Sequence, residues 1–392
     1  MVAHTPALAG WTTDRKTYLD NLKVVLIAAI IAIHAVLGYV GSDQYWTYAD
    51  VQETTLHPVT EAVLAVVVVP FGLFMIALLF LVAGLLTPSS LRRKGGRRFV
   101  VDRLVRLGIP FAAFTFVLWP ATTYALYHAF GAAPGSFWDE YLSDEGAIDT
   151  GHLWFLGVLL IFSLGYAGLR ALLGGTRRDA AETTPRTPRA IRLAHLGGLA
   201  AAVAGVTFLV RLAFPYGSES ATDLNLWEWP GCVALFGLGI VACDRDWTTR
   251  VPSRLVRGSG IITIVAAITA AGFLFLVMQL GSTDLMWGGW TWPAITLDVI
   301  ESALMVFGSV WLLGTSQRHL ARPLPAGAAL GRSAYGAFLL QGFVLIGLAL
   351  ALRWLSLPAE LKALVVAAGG VAGSFALAWL LVSRVRWLSR II

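Results

Sequence analysis

His34 stands within an apolar stretch running from Val24 to Val40, and Lys23 precedes it by eleven residues. An ionisable imidazole at membrane depth costs several kcal/mol to bury, so it marks a functional position by default. Eleven residues at about 100° each come within about 20° of three full turns, which puts Lys23 and His34 on one helix face, about 16 Å apart along the axis. A neutral imidazole can take the proton of an attacking hydroxyl as a general base. The same group can pass protons in a transporter. The structural alternatives are a bundle histidine bonded to a backbone carbonyl and a snorkelling lysine paired with Asp20 at i−3.

Both residues need a bundle around them, and the composition supplies one. The chain has 392 residues, 57% hydrophobic and 13% charged, with a mean hydropathy of +0.72. A soluble domain carries about 25% charge, so the expectation is an all-α polytopic integral membrane protein. Apolar runs long enough for a hydrocarbon core of about 30 Å recur ten times, at roughly 20–41, 62–87, 107–129, 152–173, 193–213, 229–243, 258–280, 293–314, 333–353 and 361–383. The sixth is short, and Pro70 predicts a kink in the second.

Charge gives the orientation. The segments around 14–23, 92–106, 170–192, 245–257, 318–332 and 384–390 hold 26 of the 29 Lys and Arg, and only Arg211, Arg353 and Lys362 fall on the other side. Alternate loops are acidic, as at Asp139-Glu140 and Asp144-Glu145. Positive loops stay inside, so both termini are expected in the cytoplasm. The net charge of +6 then reflects topology and anionic lipid, with no argument for nucleic acid. Residues 1–19 form a short polar cytoplasmic segment, and the first span reads as a signal anchor. A cytoplasmic linker at about 174–192 is rich in Pro, Thr and Arg, and no separate soluble domain breaks the single unit 1–392.

Other chemistry is sparse. The seven histidines show no HxxH or HxxxH spacing, so no metal site is expected. No GxSxG elbow or Walker loop occurs, which argues against a serine hydrolase and a P-loop ATPase. Cys232 and Cys243 would lie about 16 Å apart on one helix, too far for a disulfide. Asp298 and Glu301 sit one turn apart at the outer end of the eighth span, and Arg211 approaches from the fifth. They neutralise one another, or they serve a substrate or a proton path.

The stretch YLDNLKVVLIAAIIAIHA (18–35) resembles the first helix of membrane acyltransferase family 3, which includes glucan-modifying O-acyltransferases. The family pattern there is an Arg, ten residues, then a His, and this chain has Lys23 in the Arg position. FMIALLFLVAGLLTPSSLRRKGGRRFVVDRLVRLGIP (74–110) is similar to the family's second helix, basic loop and RxxR entry into the third. GHLWFLGVLLIFSL (151–164) continues the likeness, as does GRSAYGAFLLQGFVLIGLAL (331–350), where Gln341 stands in a place relatives often fill with His.

The resemblance implies a membrane O-acyltransferase at the plasma membrane, with His34 and Lys23 as its catalytic pair. A Lys keeps the charge of the family's Arg but loses its planar fork. An acyl-CoA co-substrate, rather than any tightly bound cofactor, would dock at the basic mouth on Arg103 and Arg106, with Arg97 and Arg98 beside them, because guanidinium forks match phosphates. The acyl group, expected to be short, would pass to a hydroxyl of a glycan or other small acceptor, presented from the outer face because His34 lies beyond the cytoplasmic surface. His152, Trp154 and Gln341 are the acceptor-side candidates, with Asp298 and Glu301 behind them. Eight tryptophans near outer surfaces form an aromatic belt, from which some rings could stack on a sugar. The rival readings are a proton-coupled transporter or flippase using His34, Asp298 and Glu301, and an exporter that no longer acylates, to which Lys23 and Gln341 would point. The oligomeric state is open on this reading.

Overall fold

Among the described residues of the computed structural model, ten helices are long and apolar enough to cross a membrane, the number expected. They are α1 (Thr17–Leu37), α2 (Pro58–Lys94), α3 (Gly96–Ala129), α4 (Gly151–Leu172), α5 (Leu193–Arg211), α6 (Leu226–Cys243), α7 (Ser253–Gln279), α8 (Trp292–His319), α9 (Gly327–Leu352) and α10 (Ala359–Arg384). The structure describes residues 17–41, 47–131, 135–142, 148–174, 190–218, 223–322 and 326–385, and no strand occurs among them. Trp46, Asp144, Glu145, most of the 174–192 linker, most of the 1–19 segment and the basic residues after Arg384 lie outside the described residues.

The helix ends sort onto two faces. At the basic face Tyr18 donates to the Thr248 carbonyl, the Asn21 amide donates to the carbonyls of Leu320 and Arg322, and Gln317 bonds Trp247 and Val251. At the opposite face the Leu56 amide donates to Tyr39, Tyr127 bonds Asp50, Thr150 bonds Asp223, and Tyr216 bonds Trp287. Each loop meets only loops of its own face in these bonds, as ten crossings require.

The three cations that broke the charge pattern are all engaged on the opposite face. Arg211 Nη1 lies 2.6 Å from both Asp298 and Glu301. Lys362 Nζ lies 2.6 Å from Glu53, and Arg353 Nη1 lies 3.6 Å from the same carboxylate. They bind helix ends together, so they do not contradict the sidedness of the other basic residues.

Two bundles share one core. Helices α1, α9 and α10 pack as a trio; α2 and α6 lie side by side, with α5, α7 and α8 around them, and α3 and α4 flank the remaining side. The α2–α6 crossing is backbone on backbone: a Cβ on Gly84 would fall 2.1 Å from the Phe236 carbonyl oxygen, and one on Gly239 2.3 Å from that of Leu81. Small residues permit this approach, which in lipid replaces the missing hydrophobic drive between helices.

Two boundaries differ from the sequence expectation. The basic segment 92–106 is helical apart from a single break at Gly95, whose φ is +75°. Arg and Lys are good helix formers, and a basic last turn suits the C-terminal dipole of α2, so charge alone did not make a loop. Helix α1 stops at Leu37, before a turn at Gly38 whose amide bonds His34. His34 therefore lies in the last turn of α1, not at mid-span. Helix α2 continues through both Pro70 and Pro88.

Candidate active site

His34 approaches the opposite face on α1 and meets α9 there. Its Nδ1 lies 3.0 Å from Oε1 of Gln341, a residue fully buried in the bundle. The Gln341 amide nitrogen reaches the Phe338 carbonyl oxygen at 3.2 Å. The same oxygen receives His152 Nε2 from α4 at 3.0 Å. Three elements distant in sequence are thus tied at one point, and the two imidazole centroids lie 6.3 Å apart. His152, read from the sequence as an outer-mouth residue, is buried beside His34.

The chain before His152 explains how it gets there. Asp149 accepts from the Gly151 amide at 2.7 Å and from the Trp119 indole N–H at 2.7 Å. Thr150, fully buried, donates through both amide and hydroxyl to Asp223. Gly151 turns with φ +47°, and a Cβ there would fall 2.9 Å from Trp119. The indole therefore occupies space that only glycine leaves open. Gly342 does the same from α9: its Cβ would come within 2.9 Å of Trp119 and 3.1 Å of His152.

Helix α3 contributes through a local change of winding. Phe114–Leu118 forms a π-turn, with the Trp119 amide bonded to the Phe114 carbonyl. In an α-helix residues five apart point about 140° away from each other. The π-turn brings Phe114 and Trp119 into a stack, centroids 5.0 Å apart and planes at 20°, and both rings meet His152 edge-on. Single π-turns cluster at functional sites, and this helix has a second over Leu104–Gly108, among its arginines.

That second π-turn lies at the basic face, beside a cleft of about 780 Å³ lined by Lys94, Arg97, Arg98, Asp102 and Arg106. Asp102 pairs with Lys94 at 2.6 Å and with Arg106 at 3.4 Å. Four cations against one carboxylate leave the lining strongly positive. Arg103 does not share this wall: its guanidinium lies over the Phe99 ring at 4.9 Å. The π-turn begins just after Arg103 and includes Arg106, which lines the cleft while Arg103 sits against Phe99. Tyr335 of α9 donates to the Arg106 carbonyl, joining the cleft to the helix that carries Gln341.

The remaining candidates stand apart. Lys23 reaches Asp20 at 3.7 Å and is over a third exposed, so the structure does not bring it to His34. Trp154 packs at the edge of the core. Asp298 and Glu301 belong to a separate buried cluster on α5, α6 and α8, where Arg211 is only 2% exposed and lies 4.9 Å from the Tyr216 ring and 5.8 Å from Trp227. Glu228 is buried beside them. Sequence reasoning passed over Glu228, Trp119 and Asp149. Glu228 had one visible sign, a carboxylate flanked by Trp227 and Trp229 at the head of an apolar run. Of the outer tryptophans, Trp138, Trp290 and Trp292 are exposed, whereas Trp227 is buried. Among the described residues no group of His, Cys, Asp and Glu is arranged to hold a metal ion.

Neither the curated proteins nor the solved structures return a match to this chain. One family model does, the acyltransferase domain, and it aligns with residues 16–383. That range takes in α1, the arginine turn of α3, the His152 turn and α9 together, so the chain belongs to this membrane acyltransferase family.

Proposed function

We propose that the protein transfers a short acyl group from acyl-CoA, bound at the basic cleft, to a hydroxyl of a glycan or other small acceptor that reaches His34 from the opposite face. The observation that carries this reading is the link along α9. Tyr335 bonds the arginine turn, and six residues later Gln341 holds His34. Six residues rise about 9 Å along a helix, so the phosphate-binding wall and the imidazole are within one cofactor arm of each other.

The chemistry divides accordingly. Arg97, Arg98, Arg106 and Lys94 would hold the CoA phosphates, for which cations at an open aqueous cleft are suited. His34 would take the acceptor proton as the hydroxyl attacks the thioester carbonyl. His152, walled by Phe114, Trp119 and Phe338, would shape the acceptor side of the centre. Lys23 would be an interfacial anchor. Asp298 and Glu301, both spent on Arg211, would act as scaffold. We place the basic face in the cytoplasm and the protein in the plasma membrane.

Purified protein supplied with short-chain acyl-CoA and a mixed glycan acceptor tests the reading. CoA release that depends on acceptor, and falls by about 10²–10⁴-fold in His34→Ala, is expected of a general base. Proton-coupled uptake into vesicles with no CoA release would instead support transport.

A further inference from the structure

The Phe338 carbonyl decides which nitrogen of His34 carries a proton. A carbonyl oxygen only accepts, so the end of Gln341 that faces it at 3.2 Å is the NH2. The amide oxygen then faces His34, and it too only accepts. The imidazole nitrogen 3.0 Å away, Nδ1, must therefore be the donor. A neutral imidazole has one donor and one acceptor nitrogen, which leaves the lone pair on Nε2. By the same reasoning His152 donates from Nε2 to Phe338, so one carbonyl sets two histidines in opposite tautomers.

We infer that Gln341 is a positioning residue that holds His34 in the Nδ1–H tautomer, making Nε2 the atom that takes the acceptor's proton. This deepens the acyl-transfer reading and rests on it. In the step, the acceptor O–H proton moves to Nε2 while its oxygen forms the new bond to the acyl carbon. The C–S bond breaks, and the departing CoA thiolate recovers the proton from Nε2. Throughout, Nδ1–H keeps its bond to Gln341, so the amide has no need to move when the ring becomes an imidazolium.

Gln341 is not satisfied by the backbone alone. A glutamine that only satisfied its own amide would bond backbone groups at both ends. Here one end is anchored on Phe338 and the other is given to an imidazole on a different helix, 307 residues away in sequence.

The test uses full-length protein in lipid nanodiscs, labelled with 15N in its seven histidines, with the His34 signals identified by their loss in His34→Gln. Ring-nitrogen shifts separate the two tautomers directly. The parent should show His34 as Nδ1–H. Gln341→Leu should move it toward the Nε2–H form that imidazole prefers in water, and should lower kcat by about 10- to 100-fold with the KM for acyl-CoA little changed. Gln341→His, whose ring can accept from His34 and donate to Phe338, should restore both the tautomer and most of the rate. A parent His34 protonated on Nε2, or a tautomer indifferent to Gln341→Leu, overturns the inference even if no variant is active. A parent that shows the Nδ1–H signal yet releases no CoA with any acceptor overturns the acyl-transfer reading instead, and with it the role given to Nε2.

Discussion

Gln341 Oε1 and His34 Nδ1 lie 3.0 Å apart, joining the ninth helix to the last turn of the first. Six residues earlier on that ninth helix, Tyr335 is bonded to the arginine turn of α3. A disturbance at the basic cleft therefore has a short rigid route to the imidazole.

At the cleft, charge should govern donor affinity. Arg97→Ala, Arg98→Ala and Arg106→Ala should each raise the KM for acyl-CoA severalfold with kcat nearly unchanged, since they remove binding shared by ground and transition states. Asp102→Asn should act in the opposite sense. Asp102 pairs with both Lys94 and Arg106, so its neutralisation frees two cations for phosphate and lowers KM. Raising salt should shrink all four differences. Steady-state kinetics at two ionic strengths decides the matter, and a KM indifferent to all four changes would make the cluster a topology feature only.

Around His152 the constraint is steric. Gly342→Ala would place a methyl within 2.9 Å of Trp119 and 3.1 Å of His152, and Gly151→Ala would add a left-handed φ to a 2.9 Å clash. Both should lower kcat by at least about tenfold, because displacements near 1 Å at a reacting centre are costly. Gly347→Ala, with open space around its Cβ, is the control on the same helix and should be neutral. Equal activity in all three would detach His152 from the chemistry.

What the sequence makes legible follows from the kind of signal. Ten spans are written in apolar runs, and His34 is exposed to view by being an imidazole in one of them. His152 and Gln341 were visible as polar residues in apolar segments, but their meeting with His34 was not, because pairings such as that of His34 and Gln341, 307 residues apart, leave no local pattern. The two π-turns of α3 were not anticipated: Leu104–Gly108 and Phe114–Leu118 each precede a proline, Pro110 and Pro120, whose missing N–H disturbs the helical ladder, but a proline alone does not specify a π-turn. Arg103 and Arg106 were read together as one phosphate site, whereas only Arg106 lines the cleft and Arg103 lies over the Phe99 ring. Lys23 looked coupled to His34 by angle alone; a shared face about 16 Å long does not bring two side chains together.

In the second buried cluster, breaking the ion pair should cost far more than its net worth. Arg211→Met would strand Asp298 and Glu301 inside the bundle, 2% and 1% exposed, with no cation between them. Loss of one partner from a buried pair costs about 3–5 kcal/mol. Thermal unfolding in detergent should fall steeply for Arg211→Met, whereas Arg211→Met combined with Asp298→Leu and Glu301→Leu should recover much of the loss. A rescued protein with full acyl transfer confirms a scaffold role. One that is stable yet inactive would return Asp298 and Glu301 to the site.

The last prediction concerns acid stability on the opposite face. Burial pushes the Glu53 carboxyl up, but hydrogen bonds from Lys362 and Tyr48 outweigh it, so the group is held below its ordinary value of 4.5. A depressed carboxylate contributes stability that is fully present above its unfolded pKa and disappears as pH falls through the folded one. Glu53→Gln should therefore melt lower than the parent by a constant amount from pH 8 to pH 5. Below about pH 4.5 the two curves should converge, because the unfolded chain's carboxyl begins to bind a proton there and the native one follows at lower pH. Glu53 ties the end of α9 to the start of α10 through Arg353 and Lys362, and Arg353 lies 3.9 Å over the Phe130 ring, so the loss should also loosen that junction. Lys362→Met should reproduce the effect in part, since Tyr48 still donates to Glu53 at 2.7 Å. A melting difference that persists unchanged to pH 3 would show that Glu53 acts through packing, not through its charge.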